Sequence, residues 1–353
     1  FYFYLILNSL FNNFNTDSLG SSLVYIRHGV FVIAIVTLLN TDPKLIKYFF
    51  YCILICFTVL ILDGFYQYFV GQNILGWINS SRTSSFFGEE KILGSYISKL
   101  LFCLTGIYFI SNLRNNSKYL LILLLFIFLG SIMILYSGER TALFNFTIFL
   151  IFLFYTIYKK DKKLFLISSF FLFLISLLIL FSPSIKTRMI NTTYDQIFSS
   201  NSDENIKLYS IHHQVMYSAA FAMFNDNKLL GIGPKLYREN CKLKKYNIEA
   251  TEIVVNKDNG EKSMIIHNSC STHPHNFLIQ LLAETGLMGT IPIIVFYFFL
   301  IYWFFKVRNY KFIVLAIILN FNPLIPSGNF FGNSVNILMY LPIGYLIASL
   351  YKK

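Results

Sequence analysis

The sequence predicts an all-α protein: a polytopic bundle of about nine to ten membrane-spanning helices with a large, mostly helical loop on one side. Of its 353 residues, 56% are hydrophobic, and the mean hydropathy is +0.59. Only 13% are charged, against about 25% in soluble domains. Several almost uncharged stretches reach the roughly 20 residues that span a bilayer. They lack the apolar/polar alternation of a membrane β-barrel.

Nine spans are predicted, and they divide the chain into residues 1–181, a loop domain at 182–288, and residues 289–353. Residues 1–14 resemble the end of an earlier span, and the chain begins with Phe1. We therefore expect it to be the C-terminal part of a longer protein. The predicted spans are 22–40, 48–70, 92–111, 119–136, 141–158, 164–181, 289–305, 312–325 and 333–350.

Every second connection between these spans is basic. Five short segments hold 13 of the 29 Lys and Arg residues, opposed only by Asp42 and Asp161. By the positive-inside rule these segments face the cytoplasm of a bacterial inner membrane. The net charge of +12 is thus explained without a nucleic-acid partner. The basic residues are Lys44, Lys47, Arg114, Lys118, Lys159, Lys160, Lys162, Lys163, Lys306, Arg308, Lys311, Lys352 and Lys353.

The long segment 182–288 then lies outside, in the periplasm. It carries 11 Lys and Arg against 10 Asp and Glu. Because it far exceeds the usual connection length, we expect it to be structured and functional. Cys241 and Cys270 both lie in it, and an oxidising compartment favours a disulfide between them. Two free thiols are the alternative.

Three arginines are predicted at the outer surface. Arg82 lies in "SSRTSSFFGEE", Arg140 in the turn "SGERTAL" at 137–140, and Arg27 just inside the first complete span. The planar guanidinium matches the oxygens of a diphosphate. Simple snorkelling to the interface is the alternative. The turn that holds Asn329, at 326–329, lies on the same side.

The segment "PHNFLIQLLAETG" predicts a helix with Thr272 or His273 as its N-cap, Pro274 at its first position and Gly286 at its end. His275 then lies in the first turn, where the positive helix end keeps imidazole neutral, as a general base requires. A structural pair of histidines is the alternative.

A zinc site is a further alternative, formed by His267, Cys270, His273 and His275. Zinc sites usually have a second ligand pair, which is absent, so neither metal nor cofactor is expected. "GIGP" at 231–234 lacks a phosphate-loop context and predicts a turn after a helix at about 206–224. On that helix His212 and His213 point to different faces.

The order of Arg82, "SGERTAL", "LLGIGP", "THPHNFLIQLLAETGLMG" and "PSGNFFGN" resembles the O-antigen ligase/polymerase superfamily over nearly the whole chain. The resemblance implies a metal-independent, inverting glycosyltransferase. It moves a glycan from an undecaprenyl-diphosphate carrier to lipid A-core or to a growing glycan. His275 or His273 would be the base, and Arg82, Arg140 and Arg27 would bind the diphosphate. The supporting residues would be Asn276, Glu284, His213 and Asn329.

The family often has an arginine where this chain has His212 or His213, so this resemblance leaves a third cation unassigned. Two other functions stay open at the level of sequence. A flippase for lipid-linked glycan would need charged residues near mid-membrane, where only Asp63 and Lys99 lie. A scaffold without chemistry would not explain polar residues gathered on one side.

Overall fold

The computed structural model describes residues 1–12, 15–79, 82–160, 162–194, 209–255, 262–307, 309–332 and 334–351. It is 74% helical with almost no sheet, which confirms the all-α fold. Asp161, Arg308, Lys352 and Lys353, which entered the charge argument, lie outside the described residues, as does the start of the helix predicted at 206–224.

Eight α-helices lie among the described residues of the N-terminal half, with 3-10 turns at Ser85–Phe87 and Asn112–Asn115. The turn predicted at 137–140 is confirmed because one helix ends at Ser137 and the next begins at Arg140. The residues 1–14 contain a separate ten-residue helix, α1. The helices are α1 (Tyr2–Phe11), α2 (Thr16–Val24), α3 (Ile26–Thr41), α4 (Leu45–Val70), α5 (Leu93–Ile110), α6 (Ser117–Ser137), α7 (Arg140–Lys160) and α8 (Lys162–Phe181).

The long segment after α8 contains more than helices, since it includes an antiparallel hairpin that pairs Glu249 with Asn268. The remaining elements are α9 (Pro183–Lys186), a π-helical turn (Thr187–Asn191), α10 (Ile211–Asp226), α11 (Tyr237–Asn240), β1 (Glu249–Val255), β2 (Lys262–Asn268), α12 (Phe277–Lys306), α13 (Lys311–Asn320) and α14 (Ser334–Tyr351).

Six helical segments among the described residues are long and apolar enough to cross a membrane. A seventh arises if the bent pair 172–181 and 183–194 is one span. The predicted spans at 312–325 and 333–350 coincide with the shorter apolar helices α13 and α14. The six segments are Thr16–Thr41, Leu45–Val70, Leu93–Ile110, Ser117–Ser137, Arg140–Lys159 and Phe277–Lys306.

The chain forms two compact units, each assembled from separated segments. The first unit comprises 1–30, 196–301 and 321–337. Its core packs α10, α11 and the start of α12 around Met223 and Tyr237. It carries the histidines.

The second unit comprises 31–195, 302–320 and 338–353. Helix α5 forms its centre. Of the residues in its apolar stretch, 72% are buried inside the protein, against 28% for α4. Large aromatic side chains such as Phe102, Phe146 and Phe149 fill the space around α5. This unit carries Arg82 and Arg140.

Candidate functional site

Five histidine rings, which we call the histidine cluster, lie close together in the first unit. His273 and His275 have ring centroids 4.2 Å apart. His212 and His213, on α10, lie 6.4 and 6.0 Å from His275, so both rings approach it although they are adjacent on the helix. His267, on β2, lies 5.7 Å from His212.

The segment before α12 differs from its prediction. The helix begins at Phe277, and Asn276 is its cap, because Asn276 Oδ1 accepts hydrogen bonds from the backbone N–H of Leu278 and Ile279. Thr272 or His273 as the N-cap and Pro274 at the first position are therefore wrong. His275 lies outside the helix, with a left-handed φ of 53° that a helical residue cannot have.

The backbone at His275 is held by the segment 323–329. Its carbonyl accepts from Ser327 N–H at 2.8 Å, and Ser327 Oγ accepts from Phe277 N–H at 2.8 Å. Asn276 Nδ2 donates to the carbonyl of Pro323 at 2.9 Å. Asn276 thus joins the histidine segment to the neighbouring turn, and this fixed environment supports the unusual φ of His275.

Glu284 and Asn329 are joined by hydrogen bonds through Gln280. Glu284 is fully buried and accepts from the Tyr237 N–H at 3.0 Å and from Gln280 Nε2 at 2.9 Å. Gln280 also donates to Asn329 Oδ1 at 2.9 Å. These contacts connect α11, α12 and the 326–329 turn.

Helix α12 is interrupted at Gly286, as the sequence predicts, by a residue with φ 61° and ψ −165°. The backbone of 229–233 packs against this break. Ile232 N–H donates to the backbone carbonyl of Ala283, and Gly233 N–H donates to the backbone carbonyl of Glu284. A methyl group on Gly231, whose φ is 73°, would lie 2.6 Å from the Glu284 and Thr285 backbone. "GIGP" is therefore a packing turn that follows α10.

Burial keeps the central histidines neutral. Burial, with a smaller effect of His212, lowers the pKa of His275 from 6.5 to about 4. Burial and His275 lower the pKa of His273 to about 3, although a hydrogen bond with the Ser327 backbone acts to raise it. His273 is only 8% exposed, and its Nδ1 lies 2.9 Å from Thr272 Oγ1. The neutral form expected from the sequence thus arises from desolvation rather than from a helix terminus.

The residues of the alternative zinc site are engaged in other ways. Cys270 is joined to Cys241 by a disulfide with a Cα–Cα distance of 5.1 Å. His267 Nε2 lies 2.7 Å from Glu252 Oε2. Across the part of the chain that the structure describes, no three His, Cys, Asp or Glu residues form a group suited to a metal ion.

Three arginines converge on the 137–140 turn in the second unit, and we call them the arginine cluster. Arg82 Nε donates to the Ser137 carbonyl at 2.7 Å, and Arg188 Nε to the Gly138 carbonyl at 3.4 Å. Arg140 donates to Thr193 Oγ1 at 3.4 Å. Burial lowers the pKa of Arg82, with Arg188 adding to the effect and Glu139 opposing it. Like charges gathered in this way favour an anion between them.

Glu139 anchors the turn. It is 8% exposed and accepts from Gly94 N–H at 2.6 Å and from Ser95 N–H at 3.2 Å, both in the first turn of α5. Ser95 Oγ donates a third hydrogen bond at 2.5 Å. Burial raises the pKa of Glu139, while these hydrogen bonds and Arg82 lower it. The carboxylate thereby fixes the backbone between the three arginines.

Arg188 was missing from the sequence prediction. The available signal was an arginine six residues into the long outer segment, on the side where the positive-inside rule disfavours cations. Arg238, on α11, was also missed, and its charge lowers the pKa of His273. Its Nε is buried without a hydrogen bond to any described residue.

Arg27 does not belong to the arginine cluster. It lies on α3 within the first unit, whereas Arg82 and Arg140 lie in the second. Its Nε is buried and makes no hydrogen bond to any described residue.

The two clusters differ in chemistry. The arginine cluster supplies positive charge and forked N–H donors, which suit phosphate oxygens. The histidine cluster supplies neutral ring nitrogens, which suit proton acceptance from a hydroxyl group.

A comparison with known families gives a match over part of the chain. Residues 123–294, just under half of the chain, match the family model described as O-antigen ligase. Arg140, Arg188 and the histidine cluster fall inside the matched segment, whereas Arg27, Arg82 and Asn329 fall outside it. A search of curated proteins gave no match.

Proposed function

We propose that this chain, of which residues 123–294 match the O-antigen ligase family model, is a membrane glycosyltransferase of the O-antigen ligase/polymerase superfamily. It transfers a glycan from an undecaprenyl-diphosphate carrier to a hydroxyl group of lipid A-core or of a growing surface polysaccharide. The observation that carries this proposal is the presence of the histidine cluster and two of the three arginines within the matched segment.

The arginine cluster binds the donor diphosphate in this proposal. Arg82, Arg140 and Arg188 are held around the 137–140 turn by hydrogen bonds to backbone and hydroxyl oxygens, which leaves other guanidinium N–H groups for phosphate oxygens. Charge accumulates on the diphosphate as the bond to the sugar breaks. Preorganised cations stabilise that charge more than they stabilise the ground state.

His275 is the base in this proposal. Its ring is less buried than that of His273, and Ser271 Oγ lies 3.3 Å from its Nε2. The neutral ring takes the proton of the acceptor hydroxyl while the oxygen attacks the anomeric carbon. The bond between that carbon and the diphosphate oxygen breaks, undecaprenyl diphosphate leaves, and the configuration inverts. His273 positions His275 by ring contact.

The reaction needs no metal in this proposal, since diphosphate is a good leaving group and the arginines supply the compensating charge. Transfer should therefore survive a chelator. Activity that is lost with EDTA and returns with zinc would contradict this point.

Reconstitution tests the proposed function. The purified chain in liposomes, given a lipid-linked glycan and an acceptor, should yield joined glycan and free undecaprenyl diphosphate. A flippase would move the donor across the bilayer without joined product, and a scaffold would do neither. Arg114→Ala, which alters an arginine remote in sequence from both clusters, serves as the control and should remain active.

The site faces the periplasm of a bacterial inner membrane in this proposal. The alternation of basic connections supports this orientation, and so does the Cys241–Cys270 disulfide, because disulfides persist in oxidising compartments.

A further inference from the structure

Residues 72–78, which follow α4 and which we call the apolar loop, expose large hydrophobic side chains. Ile74 is 68% exposed, Leu75 64%, Trp77 43% and Ile78 73%. Turn segments in contact with water are usually built from polar residues and glycine. A partner for this surface is therefore expected.

Most backbone N–H groups of the apolar loop are satisfied within the protein. All five N–H groups from 73 to 77 donate within the protein. Asn73 Oδ1 accepts from Leu75 N–H at 3.0 Å and from Trp77 N–H at 2.8 Å. Asn73 N–H donates to the Trp77 carbonyl, and Gly76 N–H to that of Asn73. Internal satisfaction of donors is what a lipid environment demands.

The polar groups that hold the apolar loop face the protein. Asp63, Gln67 and Asn73 are each at most 2% exposed. Asp63 Oδ1 accepts from Ile74 N–H at 3.0 Å, and Gln67 Nε2 donates to the Trp77 carbonyl at 3.1 Å. Asp63 is the carboxylate that the sequence places inside a span. Its contacts give it a structural role and turn the hydrophobic side chains outward.

The exposed surface continues along α4, a membrane-spanning helix by length and composition. Leu62 is 64% exposed, Phe69 74% and Val70 54%. Such residues on a spanning helix face acyl chains. The apolar loop follows Val70 after a single residue, Gly71. Lipid acyl chains are therefore the simplest partner for the loop as well.

We propose that the apolar loop is inserted in the bilayer at the membrane–water boundary, with Ile74, Leu75 and Ile78 among the lipid chains. Trp77 then lies at the level where tryptophan side chains are enriched, its ring resting against Gly88. The partner is the lipid of the bilayer itself.

A consequence for catalysis rests on the proposed function. Gln67 Oε1 also accepts from the N–H groups of Ser84 and Ser85, at 2.8 and 2.7 Å. One buried side chain therefore links the apolar loop to the segment that carries Arg82. An inserted loop would hold Arg82 near the headgroups, where the diphosphate of a lipid-anchored donor lies.

Tryptophan fluorescence tests the insertion, because the chain contains only Trp77 and Trp303. The full chain with Trp303→Phe is placed in nanodiscs of phosphatidylcholine with or without bromine near the headgroup end of the acyl chains. We expect blue-shifted emission that brominated lipid quenches and aqueous iodide leaves largely intact.

The aqueous reference is Met264→Trp in a background with Trp77→Phe and Trp303→Phe, because Met264 on β2 is 71% exposed. Its emission should respond to iodide and not to bromine. Leu75→Asp and Ile78→Asp, added to the Trp303→Phe chain, should lower quenching by brominated lipid.

Two results would overturn the insertion. Quenching of Trp77 by iodide but not by brominated lipid would place the apolar loop in water. Shielding from both quenchers would indicate coverage by a second copy of the chain. Neither measurement requires transfer, so the insertion and the proposed function can fail separately.

Discussion

Arg188 completes a cluster that only the folded chain reveals. Arg82, Arg140 and Arg188 come from three separated segments, yet two of them donate to adjacent carbonyls of one turn, Ser137 and Gly138. Like charges that lie close together repel one another, and a bound anion offsets that repulsion. Arg188 should therefore matter as much as Arg82 and Arg140.

Replacing Arg188 by Lys tests this equivalence. A lysine keeps the charge but loses the planar fork that engages two phosphate oxygens. We expect donor affinity to fall and transfer to slow by roughly 10²–10³, the usual cost of losing one donor to developing charge. The assay is steady-state transfer with titrated donor, and Arg114→Lys is the control. Unchanged transfer and affinity would remove Arg188 from the site.

The pH dependence of transfer reports on His275. The base must be neutral, so activity falls as pH drops through its pKa. Burial, with a smaller effect of His212, lowers that pKa from 6.5 to about 4 in the free protein. The acid limb of kcat/KM should therefore lie near pH 4 to 5, while bound diphosphate should shift the limb of kcat upward. A kcat/KM midpoint at pH 6.5 or above would contradict a buried base.

At the level of single residues, the sequence predicts which side chains are unusual but not their partners. Motif and topology select His273, His275, Arg82 and Arg140, whose roles in the site stay predictions. The position of His275 outside the helix depends on Asn276, a residue as good at capping as Thr272. Arg188 was missed because its neighbours are set by tertiary contacts rather than by spacing.

The break in α12 lies at Gly286, where residues 229–233 pack against the helix in the first unit. Gly286 and Gly231 approach backbone to backbone, and each has a positive φ. A side chain at either position meets main-chain atoms rather than a flexible side chain. The sequence predicts the break from glycine alone, but the turn of residues 229–233 that packs against it is visible only in the fold.

Gly231→Ala should destabilise the first unit. The left-handed conformation alone costs an alanine about 1–2 kcal/mol, and the 2.6 Å contacts add to it. Gly20→Ala is the control, because a methyl group there meets nothing within 4 Å and helical alanine is favoured by about 0.5–1 kcal/mol. Thermal unfolding in detergent compares them. An equal Tm for both variants would show that the backbone contact is unimportant.

The disulfide joins the residue after α11 to the residue that follows the hairpin by two positions. Cys241 is buried among the core residues of the first unit, next to Tyr237 and Tyr246. Because the two cysteines are 29 residues apart in sequence, loss of the crosslink should cost roughly 3.6 kcal/mol on the chain-entropy estimate.

Intact mass after alkylation without reduction tests the bond. The chain should take up three alkyl groups, at Cys52, Cys56 and Cys103, and five after reduction. Five groups without reduction would contradict the disulfide. Cys241→Ser with Cys270→Ser should fold with a lower Tm, whereas Cys103→Ser reports the cost of an unrelated buried thiol.

For the whole molecule, the sequence predicts the bilayer environment well because apolar length and the absence of charge dictate it. It predicts less well which segments of the chain pack together into one unit. The first unit, which carries the histidines, contains residues 1–30 and 321–337 as well as most of the long segment. Such a combination of distant segments leaves no local pattern in the sequence.

The orientation in the membrane stays a prediction from charge. In a chain lacking Cys52, Cys56 and Cys103, Met264→Cys on the hairpin should react with an impermeant maleimide in intact cells. Lys159→Cys, at the basic end of α7, should react only after permeabilisation. The reverse pattern would invert the orientation and place the histidine cluster in the cytoplasm.

The central claim is that two clusters divide the work, the arginines binding the donor and His275 accepting the proton. Donor binding and single-turnover transfer, both measured on purified His275→Ala in liposomes, test this division most directly. We predict near-normal donor affinity with transfer slowed by roughly 10²–10⁴, the usual contribution of general base catalysis. Transfer at the rate of the unmodified chain, or loss of donor affinity to the same degree as in Arg188→Lys, would contradict it.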